Sequence, residues 1–364
     1  MAKRKNQKIN QLNNNGINET EDSLSETNNE YFTDSQLETE MEAYYLLEHL
    51  DVEFPSQSIQ VHGSFLYFSN QNTFLIHKLP LKDDNKMLNF DSTKIETLKI
   101  PKNDFIKEFY VNRIRSNSTT LFLLGENFII AVDLLLFTVK KVVKTTMNGF
   151  GLLVTEKNIF IGKKTGEVEI YSLELILLET LKIHEKSVES IANMGENVLI
   201  TAGCDFTLKF TALGEKKVIY TVKNDCDINS VAVSGNNVIY GDDKGRIGAI
   251  KIGEENGGEI EDSLRNDAIF QKIISDGDHK SSIEMVKFLE IKDELILCAC
   301  SEEQLAIYDL NLVEESEESE EINKYLLFVH QGQKFYKDVD NVENMIITTS
   351  ADGITFFIPI SLIE

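Results

Sequence analysis

The densest charge in the chain is acidic. Six of the eight residues from Glu314 to Glu321 are acids: Glu314, Glu315, Glu317, Glu318, Glu320 and Glu321. Like charge at this density repels itself and is not buried unpaired. The run therefore reads either as a solvated loop or as a docking surface for a basic partner. Arg113 and Arg115 are two apart and share one face of a strand; they read as a salt-bridged structural pair, with ligand binding as the alternative. The four cysteines, Cys204, Cys226, Cys298 and Cys300, form no CxxC pair and have no histidine cluster beside them, so no zinc site is expected. Cys298 and Cys300 read as reduced core residues of an intracellular protein. Gly257-Gly258 lies in an acidic stretch, Glu254 to Asp262, with no base to hold a phosphate. No GxSxG, GxxxxGK[ST] or HExxH pattern occurs. These residues predict a non-enzyme with no cofactor and no metal.

The balance of charge points the same way. Against 36 Lys and Arg stand 60 Asp and Glu, a net charge of −24. Direct nucleic-acid binding needs a basic face, whereas this chain attracts basic partners. Apolar residues make up 42% of the sequence, enough for a sizeable core. No apolar run approaches the ~18 residues of a membrane span, and the start does not resemble a signal peptide. A monomer away from membranes is expected.

Residues 1–34 are polar, run from a Lys3-Arg4-Lys5 start into an acidic segment, and have little to bury, so a disordered tail is expected. The basic start is compatible with nuclear import and equally with a solubilising tail. Over residues 35–51, Leu37, Met41, Tyr44, Tyr45, Leu47 and Leu50 recur at helical spacing between acids, which predicts an amphipathic helix. Beyond Phe65 short apolar runs alternate with Gly, Asn and Asp, the pattern of strands and turns.

The runs also repeat. Residues 187–199 align without a gap on residues 227–239, with Ser190/Ser230, Ala192/Ala232, Gly195/Gly235, Asn197/Asn237 and Val198/Val238 identical. Thr201 and Asp205 align on Thr348 and Asp352. A unit of about 40 residues built from strands and tight turns fits a four-stranded WD-repeat blade. Seven units are expected, at 64–100, 109–143, 149–182, 186–222, 226–275, 281–313 and 325–361. The fold class is all-β: a seven-bladed WD-repeat β-propeller over residues 52–364 with an N-terminal amphipathic helix. Its closing blade is expected to be shared between 58–62 and 325–361. Asp205, Gly245 and Asp352 suit tight turns. His184 with Asp205 and a hydroxyl such as Ser190 or Thr201 reads as a structural hydrogen-bond set, as does His279 in its own blade. The Trp-Asp signature is degraded: Val132-Asp133 and Tyr308-Asp309 keep the Asp, and Phe210 or Tyr171 is expected at the Trp position. With no Trp in the chain, lower stability than a Trp-bearing propeller is expected.

Three segments carry a resemblance. Ala43 to Val61, with Glu53-Phe54-Pro55-Ser56, resembles the leading helix and strand of the histone-binding type of WD-repeat protein. Val111 to Arg115 resembles the second-blade motif of that group. Most specific are Leu305–Leu310, the acidic run, Leu326 to Gln333 (LLFVHQGQ) and Ile347 to Ser361, which resemble the glutamate-rich WD-repeat branch. The resemblance implies a ribosome-biogenesis factor of the nucleus and nucleolus, with a cytoplasmic pool. In that branch the protein is a dedicated chaperone of the newly made third large-subunit ribosomal protein, and related members bind histones. The alternatives are a histone-binding chaperone or chromatin-complex subunit, and a general interaction scaffold. By analogy with the histone-binding relatives, the client would lie between the leading helix and the acidic loop. The expected partner-binding residues are Tyr44, Glu48, Asp51 and Glu53 together with Glu314, Glu315, Glu317, Glu318, Glu320 and Glu321. The sequence departs from that group in its short acidic insert and in Phe54, which replaces the motif Trp.

Overall fold

Alternating apolar positions and short Gly, Asn and Asp turns fold the chain into antiparallel four-stranded sheets. The structure, a computed structural model, describes residues 40–81, 94–253, 260–265, 269–311 and 323–363. The expected 1–34 tail, and the acidic run Glu314 to Glu321 with all six of its expected site residues, lie outside the described residues.

Strand β1 (Tyr44–Leu50) comes first and belongs to the last blade. The first blade is β2 (Ile59–His62), β3 (Phe65–Asn70), β4 (Leu75–Pro80) and β5 (Glu96–Lys99). The second is β6 (Arg113–Ser116), β7 (Thr120–Gly125), β8 (Phe128–Asp133) and β9 (Thr138–Lys144). The third is β10 (Asn148–Val154), β11 (Asn158–Lys163), β12 (Glu167–Ser172) and β13 (Leu177–Lys182). The fourth is β14 (Val188–Met194), β15 (Val198–Gly203), β16 (Thr207–Ala212) and β17 (Lys217–Lys223). The fifth is β18 (Ile228–Ser234), β19 (Asn237–Asp242), β20 (Ile247–Ile252) and β21 (Ile269–Ser275), with the short helix α1 (Ile260–Arg265) between its last two strands. The sixth is β22 (Met285–Ile291), β23 (Glu294–Cys300), β24 (Leu305–Tyr308) and β25 (Leu326–His330). The seventh is β26 (Asp338–Val342), β27 (Met345–Ser350), β28 (Gly353–Pro359) and, on its outer edge, β1.

The core is divided among the seams of this ring. Among the described residues there are seven buried apolar clusters, one between each pair of neighbouring blades, including the pair that joins the seventh to the first. Each fully buried Leu, Ile or Phe contributes on the order of 1.5–3 kcal/mol. Stability is therefore spread around the ring, and every blade depends on both neighbours.

Three expectations fail around the closure. Of the helix predicted over 35–51, residues 35–39 lie outside the described residues, and Tyr44 to Leu50 form a strand, paired antiparallel with β28 (Leu47 opposite Phe357, Leu50 opposite Ile354) and preceded by one short 3-10 turn. Left alone, β28 would expose a row of unpaired N–H and C=O groups, and pairing them outweighs local helical preference. The residues at 58–62, predicted to close the last blade, instead form β2, the inner strand of the first. The outermost strand of the sixth blade is β25, within the LLFVHQGQ stretch that the sequence placed at the start of the next unit. The acidic run thus falls inside the sixth blade's span, between β24 and β25.

Candidate functional site

Buried polar clasps tie the turns of several blades, and they account for most of the residues able to do chemistry. His184 is fully buried; it donates through Nδ1 to Asp205 Oδ1 (2.8 Å) and shares a 2.8 Å hydrogen bond at Nε2 with the Thr201 hydroxyl. Burial pushes the Asp205 carboxyl up, but hydrogen bonds from Thr207, the Glu185 N–H and His184 outweigh it and hold the group well below the usual carboxylate range. Burial draws His184 below its ordinary value, against the opposing pull of Asp205. The predicted structural set is therefore built by Thr201, while Ser190 belongs elsewhere. Its hydroxyl oxygen accepts the Val231 N–H of the next blade at 3.2 Å, as Ser230 accepts that of Val286 (2.9 Å) and Ser58 that of Ile114 (3.0 Å). The serines repeated in the sequence stitch inner strand to inner strand.

In the sixth blade His279 bonds the Ser301 hydroxyl (2.9 Å) and the Tyr308 hydroxyl (3.2 Å). Tyr308 and Tyr171 occupy one register, opposite Leu297 and Ile159, and each faces the preceding blade. In the fourth blade that register, opposite Leu199, belongs to Thr211; Phe210 stands one residue away and faces the following blade. Of the two residues expected at the Trp position, Tyr171 fills it and Phe210 does not. The tight turns also resolve differently: positive φ falls on Gly245 as expected, but on Phe206 and Gly353 rather than on Asp205 and Asp352.

Asp225, Cys226 and Asp242 bring ligand atoms within 4.8 Å of one another. Arg246 already supplies a cation there, pairing with Asp225 and, at 2.7 Å, with Asp242, while Lys244 pairs with Asp225 at 2.7 Å. Cys298 and Cys300 are fully buried, and burial raises both thiols, which makes them poor nucleophiles.

The expected client site is assembled in part. The Tyr44 hydroxyl and His330 Nδ1 share a 2.8 Å hydrogen bond, and the Tyr44 ring packs edge-on against Phe328 at 5.3 Å. Burial pushes the Tyr44 hydroxyl up to about 12. Tyr44 is thus a structural pin between β1 and β25 as well as a wall of the groove beside them. That groove, about 460 Å³, is lined by Glu40, Ala43, Tyr44, Leu326, Phe328 and Gln331 among others. Glu40, Glu42, Asp51 and Glu53 are exposed and Glu48 is partly buried. Asp51 lies 3.3 Å from His49; the four glutamates have no basic partner within 4 Å among the described residues. Gln333, at the end of the LLFVHQGQ stretch, hydrogen-bonds His49 (3.0 Å) and Thr355. The stretch that carried the resemblance is therefore the clasp that receives β1.

A second concave region was not foreseen. A groove of about 930 Å³ runs between the β5–β6 connection and the third blade, lined by Asp104, Phe105, Tyr110, Asn112, Phe128 and Phe150 among others. Phe150, 37% exposed, projects from β10 between Gly149 and Gly151. A Cβ on Gly149 would stand 2.8 Å from the Val188 carbonyl, so the glycine lets β10 approach β14 and present Phe150. The signal in the sequence was the Gly149-Phe150-Gly151 triplet.

No protein-family model matches the chain. Over 101 residues it is 30% identical to the Arabidopsis thaliana protein HEAT STRESS TOLERANT DWD 1; that stretch covers 23% of this chain and 22% of the relative, so the chain spans about a fifth of the curated relative it matches. The crystal structure of the WD40 β-propeller domain of Doa1 superposes with a TM-score of 0.65, over 86% of this chain and 96% of that one, at 16% identity. The class is thereby defined: a seven-bladed β-propeller of the WD40 type. The likeness to Doa1 is one of fold.

Proposed function

We propose that the protein is a non-enzymatic ribosome-biogenesis factor, a chaperone that holds a newly made, basic large-subunit ribosomal protein on an acidic margin of the ring and acts in the nucleus and nucleolus. The observation that carries this reading is the neighbourhood of β1 and β25. The leading segment brings Glu40, Glu42, Glu48 and Glu53 without basic partners among the described residues, and in the sequence β25 begins at Leu326, five positions after the acidic run at 314–321 ends. Tyr44 joins the two strands and shares a groove with them. A basic segment laid along this margin would exchange repulsion among carboxylates for ion pairs, with no chemistry required of the protein. The resemblance of the LLFVHQGQ and C-terminal segments to the glutamate-rich WD-repeat branch supplies the identity of the client.

The test is charge reversal. Replacing Glu40, Glu42, Glu48 and Glu53 with Lys is expected to weaken binding of the purified third large-subunit ribosomal protein at least tenfold at 50 mM salt and to flatten the salt dependence. Unchanged affinity would remove this margin from the site. Equal or tighter binding of a core histone complex would favour the histone-chaperone alternative.

A further inference from the structure

Among the described residues around the central channel, Arg115 and Lys287 have carboxylates within ion-pair range and Arg113 has none. Arg115 Nη1 donates to Asp338 Oδ2 at 3.1 Å and to Ser58 Oγ at 3.2 Å, and Lys287 Nζ lies 2.9 Å from Asp340 Oδ1. Arg113, two residues before Arg115 on the same strand face, has no such counterpart. Its guanidinium makes one 3.4 Å hydrogen bond to the neighbouring Asn112 carbonyl and stands 5.5 Å from the centre of the Phe150 ring. Among the described residues no carboxylate lies within 4 Å of it. Burial draws Arg113 below its ordinary value, Asp338 opposes this, and the like charge of Arg115 adds to it; Glu189 and Glu284 act from farther off in the opposite sense. A partly buried guanidinium held beside a second one, with no ion pair of its own among the described residues, gains from an anion that reaches it.

The space for that anion is present. A cavity of about 210 Å³ in the channel is lined by Arg113, Arg115, Phe150, Ser190, Val231 and Lys287 among others. It is smaller than the roughly 300–1,000 Å³ of small-molecule pockets, and it suits one side chain rather than a whole ligand. Phe150 lines both this cavity and the 930 Å³ groove, so the two share a wall. The groove is of a size for the remainder of a peptide, and Tyr110, 44% exposed, and Phe150 offer it apolar surface.

We propose that Arg113 receives the carboxylate of an Asp or Glu side chain from a partner peptide, whose flanking residues lie in the groove between Tyr110 and Phe150. A planar guanidinium matches a carboxylate bidentately, and the centre of the Phe150 ring lies 5.5 Å from that of Arg113. One unpaired guanidinium balances one carboxylate; a phosphorylated side chain carries about −1.5 to −2 and would be left half neutralised. This site is independent of the acidic margin and serves a different partner or a different segment.

The test selects displayed random peptides, fused at their C-termini so that no free carboxyl is present, on the full chain and on Arg113→Gln. The wild-type chain is expected to enrich one fixed Asp or Glu flanked by apolar or aromatic residues, and R113Q is expected to lose that preference. For an enriched peptide, Glu→Gln and R113Q should each lower affinity by about tenfold or more, and together no further. R113Q should melt within a few degrees of the wild type, because it gives up no ion pair. Phe150→Ala should weaken the same peptides without changing the acidic preference. The proposal is overturned if R113Q enriches the same acidic position or wild type enriches none. Marked destabilisation or misfolding of R113Q would make Arg113 a structural residue, and tighter binding of a phosphoserine counterpart would make the ligand a phosphate.

Discussion

His279 and His330 are kept neutral by burial, which pushes both down to about 4. In an unfolded chain histidine titrates near 6.5. Between these values the unfolded chain takes up the protons and the folded one does not. Stability is thus full above about pH 6.5 and falls as pH drops towards 4, by up to about 3 kcal/mol per histidine. Melting temperatures at pH 7.5, 5.5 and 4.5 should decline in that order; a flat profile would contradict neutral buried histidines. Asp205→Ala strips His184, Thr207 and the Glu185 N–H of a shared acceptor and should cost on the order of 1–3 kcal/mol in a denaturant titration. Thr211 offers the opposite case. Its buried hydroxyl oxygen has no hydrogen-bond partner among the described residues, so Thr211→Val should raise stability by about 1 kcal/mol. A loss there would mean the hydroxyl is satisfied.

At the scale of elements the ring hangs on β1. Leu46 and Leu50 pack into the seam between the seventh and first blades, and Tyr44 and Leu47 into the seam between the sixth and seventh. A chain beginning at residue 52 leaves β28 open and exposes both seams. It should unfold at a markedly lower denaturant concentration and be cut by protease within blade seven first; equal resistance would show that β1 is dispensable. The same packing explains why β1 was illegible in the sequence. A strand buried on one face alternates, but β1 has apolar residues on both faces and a bulge between Tyr44 and Leu46, which together imitate helical spacing. The blades themselves were legible because each repeats one local pattern, and Ser190 and Ser230 mark equivalent inner strands. Thr201 and Thr348 likewise mark equivalent second strands, β15 and β27. What decided the boundaries was edge pairing between residues some 300 positions apart, such as Leu47 with Phe357, and no local pattern reports that. The same holds for the channel. The spacing of Arg113 and Arg115 placed both on one face, but only the folded ring shows that Asp338 forms an ion pair with Arg115 and not with Arg113.

For the whole molecule, the dominant property is a net charge of −24 over the full chain. Such a charge speeds encounter with basic proteins and loses that advantage as salt screens it, over about 10 Å at 0.1 M. Association of the client should therefore slow severalfold between 50 and 300 mM salt, measured by stopped-flow mixing, whereas a client held only by apolar contact would be insensitive. The most direct measurement is affinity purification of the full chain from native cells at low salt, beside the variant in which Glu40, Glu42, Glu48 and Glu53 are Lys. The account predicts that the wild type recovers a basic large-subunit ribosomal protein in near-equal amount and that the variant loses most of it. Recovery of the same partners by both chains, or of no basic protein by either, would contradict it.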